Sequence, residues 1–184
     1  YRNWLLVIFS LFFYAWGEPV YVLVLMFSAL VNYGFGRLIG HGGTHPHAKA
    51  LVAASVTFNL LLLGYFKYIG FIVENLNHLG LSLPVPDVVL PIGISFYTFQ
   101  TLSYVIDVYR GTVQVQRSYR DFLLYVALFP QLIAGPIVRY SEIEPQMARR
   151  EVKLSSIYYG VLRFCIGLGK KVLLANYAGR IASQ

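Results

Sequence analysis

Long stretches without any Asp, Glu, Lys or Arg divide this sequence and constrain its fold more than any other feature. There are five of them, covering residues 3–17, 19–36, 50–66, 88–106 and 122–138. A helix needs roughly 20 mainly apolar residues to cross a bilayer, with about 17 as the lower limit. Four of the five runs reach that limit, and the first can extend into its charged flanks. The pattern predicts an all-α, polytopic transmembrane helical bundle with about four full spans.

The composition supports a membrane class and excludes several others. Charged residues make up 12% of the chain and apolar residues 57%, whereas a soluble domain is about 25% charged. The single cysteine, Cys165, cannot form an internal disulfide, which excludes a disulfide scaffold. The net charge of +7 does not indicate a nucleic-acid partner, because the basic residues punctuate the apolar runs and form no continuous stretch.

The positions of the positive charges predict the orientation of the spans. Arg2, Arg37 and Lys49 flank the first three runs on one side, and further arginines follow the fourth run. The opposite ends, at Glu18 and over residues 74–87, carry no Lys or Arg. Cytoplasmic loops are enriched in basic residues. We therefore expect the basic ends to be cytoplasmic and the acidic loops to lie outside.

The fifth uncharged run departs from this alternation. It has basic residues on both sides and contains Pro130, Gly135 and Pro136, which disrupt helices. We therefore predict a re-entrant or tilted pair of half-helices over residues 121–138, entered through a Ser118-x-x-Asp121 capping box. A short interfacial helix at Ser141-x-x-Glu144 and a final membrane helix over residues 155–182 are expected to follow.

A stripe of polar side chains marks the fourth run. Phe96, Gln100, Tyr104 and Asp107 are spaced so that they share one helix face. For Gln100 and Tyr104 two interpretations stay open, packing against neighbouring helices or lining an internal path. Asp107 is expected to pair with Arg110 three residues later, beside the carboxyl end of the helix.

Two further clusters have weaker functional interpretations. Lys170 and Lys171 can extend towards the membrane surface, or they can present a positive site to a phosphate-bearing donor. The histidines of the GHGGTHPH loop, from Gly40 to His47, have no Cys or carboxylate beside them, so we predict no metal site. From these residues alone, the chain is a polytopic segment with a polar stripe and a re-entrant element.

The stretches from Leu90 to Gly111 (LPIGISFYTFQTLSYVIDVYRG) and from Phe129 to Tyr140 (FPQLIAGPIVRY) resemble the membrane-bound O-acyltransferase family. The resemblance is strongest to its bacterial alginate O-acetyltransferase branch. It implies that an acyl group, expected to be acetyl, passes from a cytoplasmic donor across the bacterial inner membrane to hydroxyls of an exported polysaccharide such as alginate. The implied donor is an acyl-CoA or a carrier-bound acyl thioester, with no permanently bound cofactor. The implied partners are membrane lipids and extracytoplasmic polysaccharide acetylation proteins.

The resemblance also assigns supporting roles. No histidine here matches the family's membrane histidine, so no catalytic residue is expected, and the chain is expected to be an inactive N-terminal portion without the first helix and the C-terminal catalytic half. Residues 1–184 are expected to form one membrane domain. The residues implied in the substrate tunnel and its inner mouth are Ser95, Phe96, Gln100, Tyr104, Asp107, Arg110, Pro130, Gln131, Gly135, Pro136 and Arg139. Lys170 and Lys171 are implied to face the donor.

Two other functions fit the same pattern of residues. Broken helices and polar groups at mid-depth also occur in transporters and channels, which often contain internal repeats. A degenerate scaffold of a polysaccharide secretion complex is the second alternative. We find no internal repeat in the sequence, although part of a longer chain could hide one, and the family resemblance makes the enzyme the preferred hypothesis.

Overall fold

A computed structural model describes residues 2–132, 138–148 and 153–182, and all regular structure in these ranges is helical. The residues group into two compact units, Tyr1–Met147 and Ala148–Gln184. The α-helices in chain order are α1 (Arg2–Gly17), α2 (Tyr21–Ile39), α3 (Ala48–His78), α4 (Ile94–Tyr109), α5 (Tyr119–Ala127), α6 (Phe129–Leu132), α7 (Tyr140–Ala148), α8 (Leu154–Lys170) and α9 (Asn176–Ala182).

Two helical segments are long and apolar enough to cross a membrane, judged by length and composition. They are Tyr21–Gly43, with a mean hydropathy of 1.7, and Ala48–His78, with 1.6. Only 33% and 17% of their apolar windows are buried, unlike the core helix of a soluble domain. Large exposed apolar patches mark surfaces that meet lipid or another protein. These two helices indicate a membrane protein, and the four predicted full spans stay a prediction.

Helices α3 and α4 differ in extent from the uncharged runs that contain them. Helix α4 begins at Ile94, later than the run over residues 88–106, because Pro91 cannot donate a backbone hydrogen bond and Gly93 takes a left-handed conformation with φ of 78°. Helix α3 continues to His78, twelve residues beyond the uncharged run that ends at 66. It passes Lys67, whose Nζ lies 5.4 Å from the ring centroid of Tyr68.

The helix ends of the first unit meet in two groups. At one end Asn3 Nδ2 donates to Asp121 Oδ1 at 2.9 Å, and a guanidinium nitrogen of Arg37 donates to the Arg117 carbonyl oxygen at 3.4 Å. At the other end the Tyr14 hydroxyl donates to the Ile92 carbonyl oxygen at 2.9 Å. The basic ends of α1, α2 and α5 therefore lie together, as the charge pattern predicts.

A buried polar network, which was not predicted from the sequence, joins α2, α3 and α4. Asn32 on α2 and Asn59 on α3 exchange two amide hydrogen bonds, of 3.1 and 2.7 Å. The Ser55 hydroxyl donates to Asn32 Oδ1 at 3.1 Å, and Thr101 on α4 lies 3.5 Å from Asn59 Oδ1. All four side chains are fully buried.

The two amides use all four of their N–H groups. Asn32 Nδ2 also donates to the Ser28 carbonyl oxygen at 2.9 Å, and Asn59 Nδ2 donates to the Ser55 carbonyl oxygen at 2.8 Å. A buried amide without partners costs free energy, whereas a satisfied one contributes a modest amount. The network therefore fixes which faces of α2 and α3 meet.

The second unit consists of α8, the π-helical turn Lys171–Ala175 and α9. The large apolar side chains of α8, among them Leu154, Tyr158 and Phe164, are exposed within this unit. A π-helical turn is rare and often marks a functional position. Here it begins at Lys171, directly after the last residue of α8.

We predict that Asn32→Leu and Asn59→Leu each lower the unfolding free energy by about 1–3 kcal/mol, because each leaves a buried amide without its partner. The double variant should lose less than the sum of the two, with a coupling of about 0.6–1.7 kcal/mol. The measurement is a double-mutant cycle on the whole protein in detergent micelles. Asn75→Leu is the matched control, since Asn75 is an exposed residue of α3 that bonds only to its own helix. If the loss of unfolding free energy in the double variant equalled the sum of the two single losses, the hydrogen-bonded network would be contradicted.

Candidate functional site: the helix break at Leu128

The candidate site is built around an interruption in the fifth uncharged run. Helix α5 starts at its predicted cap, where Ser118 Oγ accepts from the Asp121 backbone N–H at 3.4 Å. It ends at Ala127, because Leu128 has an extended ψ of 113°. Helix α6 then restarts at Phe129. The run is therefore not one straight helix, as its Pro and Gly content predicts, while its re-entrant path stays a prediction.

Pro130 explains the position of the break. In an uninterrupted helix its ring would collide with the carbonyl of Val126, four residues earlier, and it could not donate a hydrogen bond there. As the second residue of α6 it is acceptable, because N–H groups in the first turn of a helix have no intrahelical acceptor. The chain therefore ends α5 before Pro130 and begins a new helix around it.

The break separates one backbone N–H from the carbonyl oxygen that it would bind in a continuous helix, and side chains from other helices bind both groups. A continuous helix would join the Phe129 N–H to the Tyr125 carbonyl oxygen. Instead the Tyr125 oxygen accepts from Gln100 Nε2 at 2.9 Å and from Gln131 Nε2 at 2.6 Å. The Phe129 N–H donates to Ser10 Oγ on α1 at 3.3 Å. Two predicted site residues, Gln100 and Gln131, thus meet at one atom.

An aromatic cluster surrounds this point. The ring of Tyr104 lies 4.7 Å from that of Phe122 and 4.9 Å from that of Tyr140, measured between centroids. Tyr125 lies 5.2 Å from Tyr140, and all four rings are fully buried. Such tilted and edge-on pairs are favourable arrangements for aromatic rings. The cluster packs α4, α5 and α7 together.

Hydrogen bonds fix the tyrosine hydroxyls of the cluster. The Tyr104 hydroxyl accepts from the Gln116 backbone N–H at 2.9 Å, and Gln116 Nε2 donates to the Tyr140 hydroxyl at 2.7 Å. The Tyr125 hydroxyl donates to the Val138 carbonyl oxygen at 3.0 Å. Tyr125, Tyr140 and Gln116 were not recognised from the sequence. A proline-induced break signals that freed carbonyls need donors, but not which side chains supply them.

Helix α2 approaches this cluster closely at one glycine. A Cβ at Gly36 would lie 2.7 Å from Cε1 of Tyr104, closer than a real contact permits. The Tyr104 ring cannot easily move away, because Phe122 and Tyr140 pack against it. The absence of a side chain at Gly36 therefore allows α2 to contact α4 here.

An ion pair anchors the start of α5 to α1. Arg120 contacts Asp121 through two nitrogen–oxygen pairs at 2.9 Å, and its guanidinium lies 5.8 Å from the ring centroid of Trp4. Asn3 donates to the same carboxylate at 2.9 Å. Burial raises the pKa of Asp121, but the hydrogen bonds from Arg120 and Asn3 and the Arg120 charge outweigh it, so the pKa lies below its usual value.

The structure places several predicted site residues outside this cluster. Ser95 is half-buried, whereas Phe96 is 40% exposed at the start of α4. Arg110 and Arg139 are exposed, and Asp107 is half-buried. The expected Asp107–Arg110 ion pair is wrong, since the pair found within the described residues is Arg120–Asp121.

The remaining predicted residues are not part of the cluster or lie outside the described residues. Pro130 is exposed, and its role is to set the break. Lys170 and Lys171 are exposed in the second unit, at the junction of α8 and the π-helical turn. Gly135 and Pro136 lie outside the described residues. Within the described ranges, no group of three or more His, Cys, Asp or Glu side chains could hold a metal ion.

Curated relatives match along the entire chain. It is 39% identical over 190 residues to the probable alginate O-acetylase AlgI of Pseudomonas aeruginosa and equally to that of Azotobacter vinelandii, covering 100% of this chain and 36% and 38% of those proteins. It is 32% identical over 205 residues to a peptidoglycan O-acetyltransferase of Helicobacter pylori, covering 96% of this chain and 39% of that protein. The chain belongs to the membrane-bound O-acyltransferase family.

This membership confirms the resemblance inferred from the two long motifs. The chain spans little more than a third of the length of the relatives that it matches. No family model matches the sequence. No solved structure matches it either.

We predict that Gly36→Ala lowers the unfolding free energy of the whole protein by about 1–3 kcal/mol, the usual cost of overpacking a filled core. Gly34→Ala is the matched control on the same helix, because no atom lies within 4 Å of its added Cβ. That control should stabilise the protein by about 0.4–1 kcal/mol. Denaturant unfolding in micelles measures both, and equal effects would contradict the close approach of α2 and Tyr104.

We also predict that Asp121→Asn lowers the unfolding free energy at neutral pH by about 1–2 kcal/mol, a value reduced for partial exposure. The folded pKa of Asp121 lies below its unfolded value. The stabilisation is therefore present above the unfolded pKa and is lost as the pH falls through the folded pKa. Unfolding measured from pH 7 to 3 should show a shallower acid limb in the variant. An equally steep acid limb in the variant would contradict this role of the Asp121 carboxylate.

Proposed function

We propose that this chain is part of a membrane O-acetyltransferase that transfers acetyl groups from a cytoplasmic donor to hydroxyls of an exported polysaccharide. The names of the full-length relatives, an alginate O-acetylase and a peptidoglycan O-acetyltransferase, support this reaction class. The observation that carries the role of this segment is the binding of the Tyr125 carbonyl oxygen by Gln100 and Gln131. These two side chains stabilise a broken helix in apolar surroundings.

A broken helix is useful in such a reaction. The acceptor oxygen attacks the acyl carbonyl of a thioester, the acceptor proton goes to a base, and the thiolate leaves. This requires a base and a path from which competing water is excluded. Non-helical backbone at membrane depth occurs where it is buried in protein or lines such a path. We therefore place the path beside the α5–α6 break and the base outside this segment.

Several parts of this proposal concern the whole protein. The donor is an acyl-CoA or a carrier-bound acyl thioester. Lys170 and Lys171, which are both exposed, bind its phosphate groups. Extracytoplasmic polysaccharide acetylation proteins receive the acetyl group. The protein is a multi-pass protein of the bacterial inner membrane, with the basic ends of α1, α2 and α5 on the cytoplasmic side. The segment alone is inactive.

We predict that Gln100→Leu, in the whole protein, reduces the acetyl content of the secreted polysaccharide at least tenfold. The Tyr125 carbonyl oxygen loses one of its two donors, and the break shifts at the point where the path is proposed. The measurements are the acetyl content and the yield of secreted polymer. The yield should not change.

The matched control is Gln114→Leu, because Gln114 is exposed in the loop between α4 and α5. This variant should retain normal acetylation. Reduced export with normal acetylation in Gln100→Leu would support a transporter and contradict the enzyme. An unchanged acetyl content, with the protein present at its normal level, would show that the break does not matter for transfer.

A further inference from the structure

An aromatic groove runs along the exposed side of α1. Phe9, Phe12, Phe13 and Trp16 of α1 and Phe129 of α6 line about 430 Å³. The ring centroids of Phe13 and Phe129 are 5.7 Å apart, and those of Phe12 and Trp16 are 5.8 Å apart. Binding sites for small molecules typically occupy about 300–1,000 Å³. The groove is therefore large enough to hold part of an acyl chain.

A smaller cavity lies at the carboxyl end of α1. This cavity has a volume of about 180 Å³, and its lining residues are Phe13, Tyr14, Trp16, Gly17, Glu18 and Ile92. Phe13 and Trp16 line both spaces, so the groove and the cavity are neighbours. The aromatic groove thus adjoins a cavity that has a carboxylate, Glu18, in its lining.

Two side chains at this end offer polar groups to a ligand. The Glu18 carboxylate is an acceptor, and the Trp16 indole N–H is a donor. Glu18 has no ion-pair partner among the residues that the structure describes. The indole N–H of Trp16, a donor only, has no acceptor in the same part of the chain, and Trp16 is 82% exposed. The Tyr14 hydroxyl is already bound to the Ile92 carbonyl oxygen at 2.9 Å. A ligand that offers a cation and an anionic oxygen would match Glu18 and Trp16.

We propose that the groove and the neighbouring cavity together bind an aminophospholipid. One acyl chain lies in the aromatic groove, the primary ammonium of the headgroup pairs with Glu18, and a phosphate oxygen accepts from the Trp16 indole. Tryptophan is enriched at the membrane–water interface, which is the depth this arrangement requires. An anionic lipid without an ammonium fits less well, because it would bring a net negative headgroup to the Glu18 carboxylate.

The proposed lipid would contact the helix break. Phe129, which forms one wall of the groove, is the first residue of α6, and its N–H is held by Ser10 on α1. The occupant therefore lies against α6, which begins at the break, and against α1, which binds the first N–H of α6. This inference concerns a lipid site and does not depend on the acyl-transfer reaction.

The test uses the whole protein, stripped of lipid in detergent and mixed with phosphatidylethanolamine or phosphatidylglycerol of identical acyl chains. Native mass spectrometry measures the bound fraction. The wild-type protein should prefer phosphatidylethanolamine by about two- to fivefold, the range for an exposed ion pair. Glu18→Gln should abolish this preference. Glu74→Gln, an exposed acidic residue of α3 that does not line the groove, should retain it.

A second variant separates the acyl groove from the headgroup site. Phe12→Ala should weaken the binding of both lipids and leave their ratio unchanged. Equal binding of the two lipids to the wild-type protein, or a preference that survives Glu18→Gln, would overturn the proposal. If Glu74→Gln lost the preference for phosphatidylethanolamine as completely as Glu18→Gln, the preference would be a general effect of negative charge and the proposal would be wrong. Failure of the wild-type protein to retain either lipid would mean that another part of the protein fills the groove.

Discussion

A helix that breaks in apolar surroundings leaves backbone groups without partners, and the structure around Leu128 is arranged to supply them. Helix α4 provides Gln100, α6 provides Gln131 and α1 provides Ser10. Because an unpaired buried backbone group costs free energy comparable to a lost hydrogen bond, these helices must stay in register with the break. The position of one proline in α6 therefore constrains the packing of two other elements, α1 and α4.

The same helix, α4, links this break to the polar network of α2 and α3. Its Thr101 lies beside Asn59, and one turn later its Tyr104 packs against Gly36 and the aromatic cluster. Between helices in lipid the hydrophobic effect gives little driving force, so close packing and hydrogen bonds determine which faces meet. The two contacts act at neighbouring levels of α4 and hold α2, α3 and α5 against it.

Local features of the sequence predicted the class of the protein, the interruption of the fifth run and the Ser118 cap. Each of these depends on neighbouring residues alone. Freedom from charge alone does not locate the start of α4, because Pro91 and Gly93 keep the first residues of its uncharged run out of the helix. The Asn32–Asn59 pair was missed because each asparagine lies alone within an uncharged run. Their contact depends on how α2 and α3 are rotated about their axes, and no local sequence pattern determines that rotation.

The roles of the polar side chains on α4 could also not be decided from the sequence alone. The sequence left two interpretations of Gln100 and Tyr104, packing against neighbours or lining a path. Both side chains are turned inwards, at 5% and 0% exposure, and both bond to neighbouring elements. Packing is thus the role that their contacts define, while lining a path stays a prediction that depends on what lies beyond the Tyr125 carbonyl.

The distribution of hydrogen bonds also bears on where the chemistry of acyl transfer resides. Gln100 and Gln131 each direct an amide nitrogen to one backbone oxygen, and the Tyr125 hydroxyl donates to the Val138 carbonyl. Tyr104 accepts a backbone N–H. Polar groups committed in this way hold the chain and are poor candidates for moving a proton. If the proposed reaction is correct, this segment shapes the path and the rest of the longer protein supplies the base.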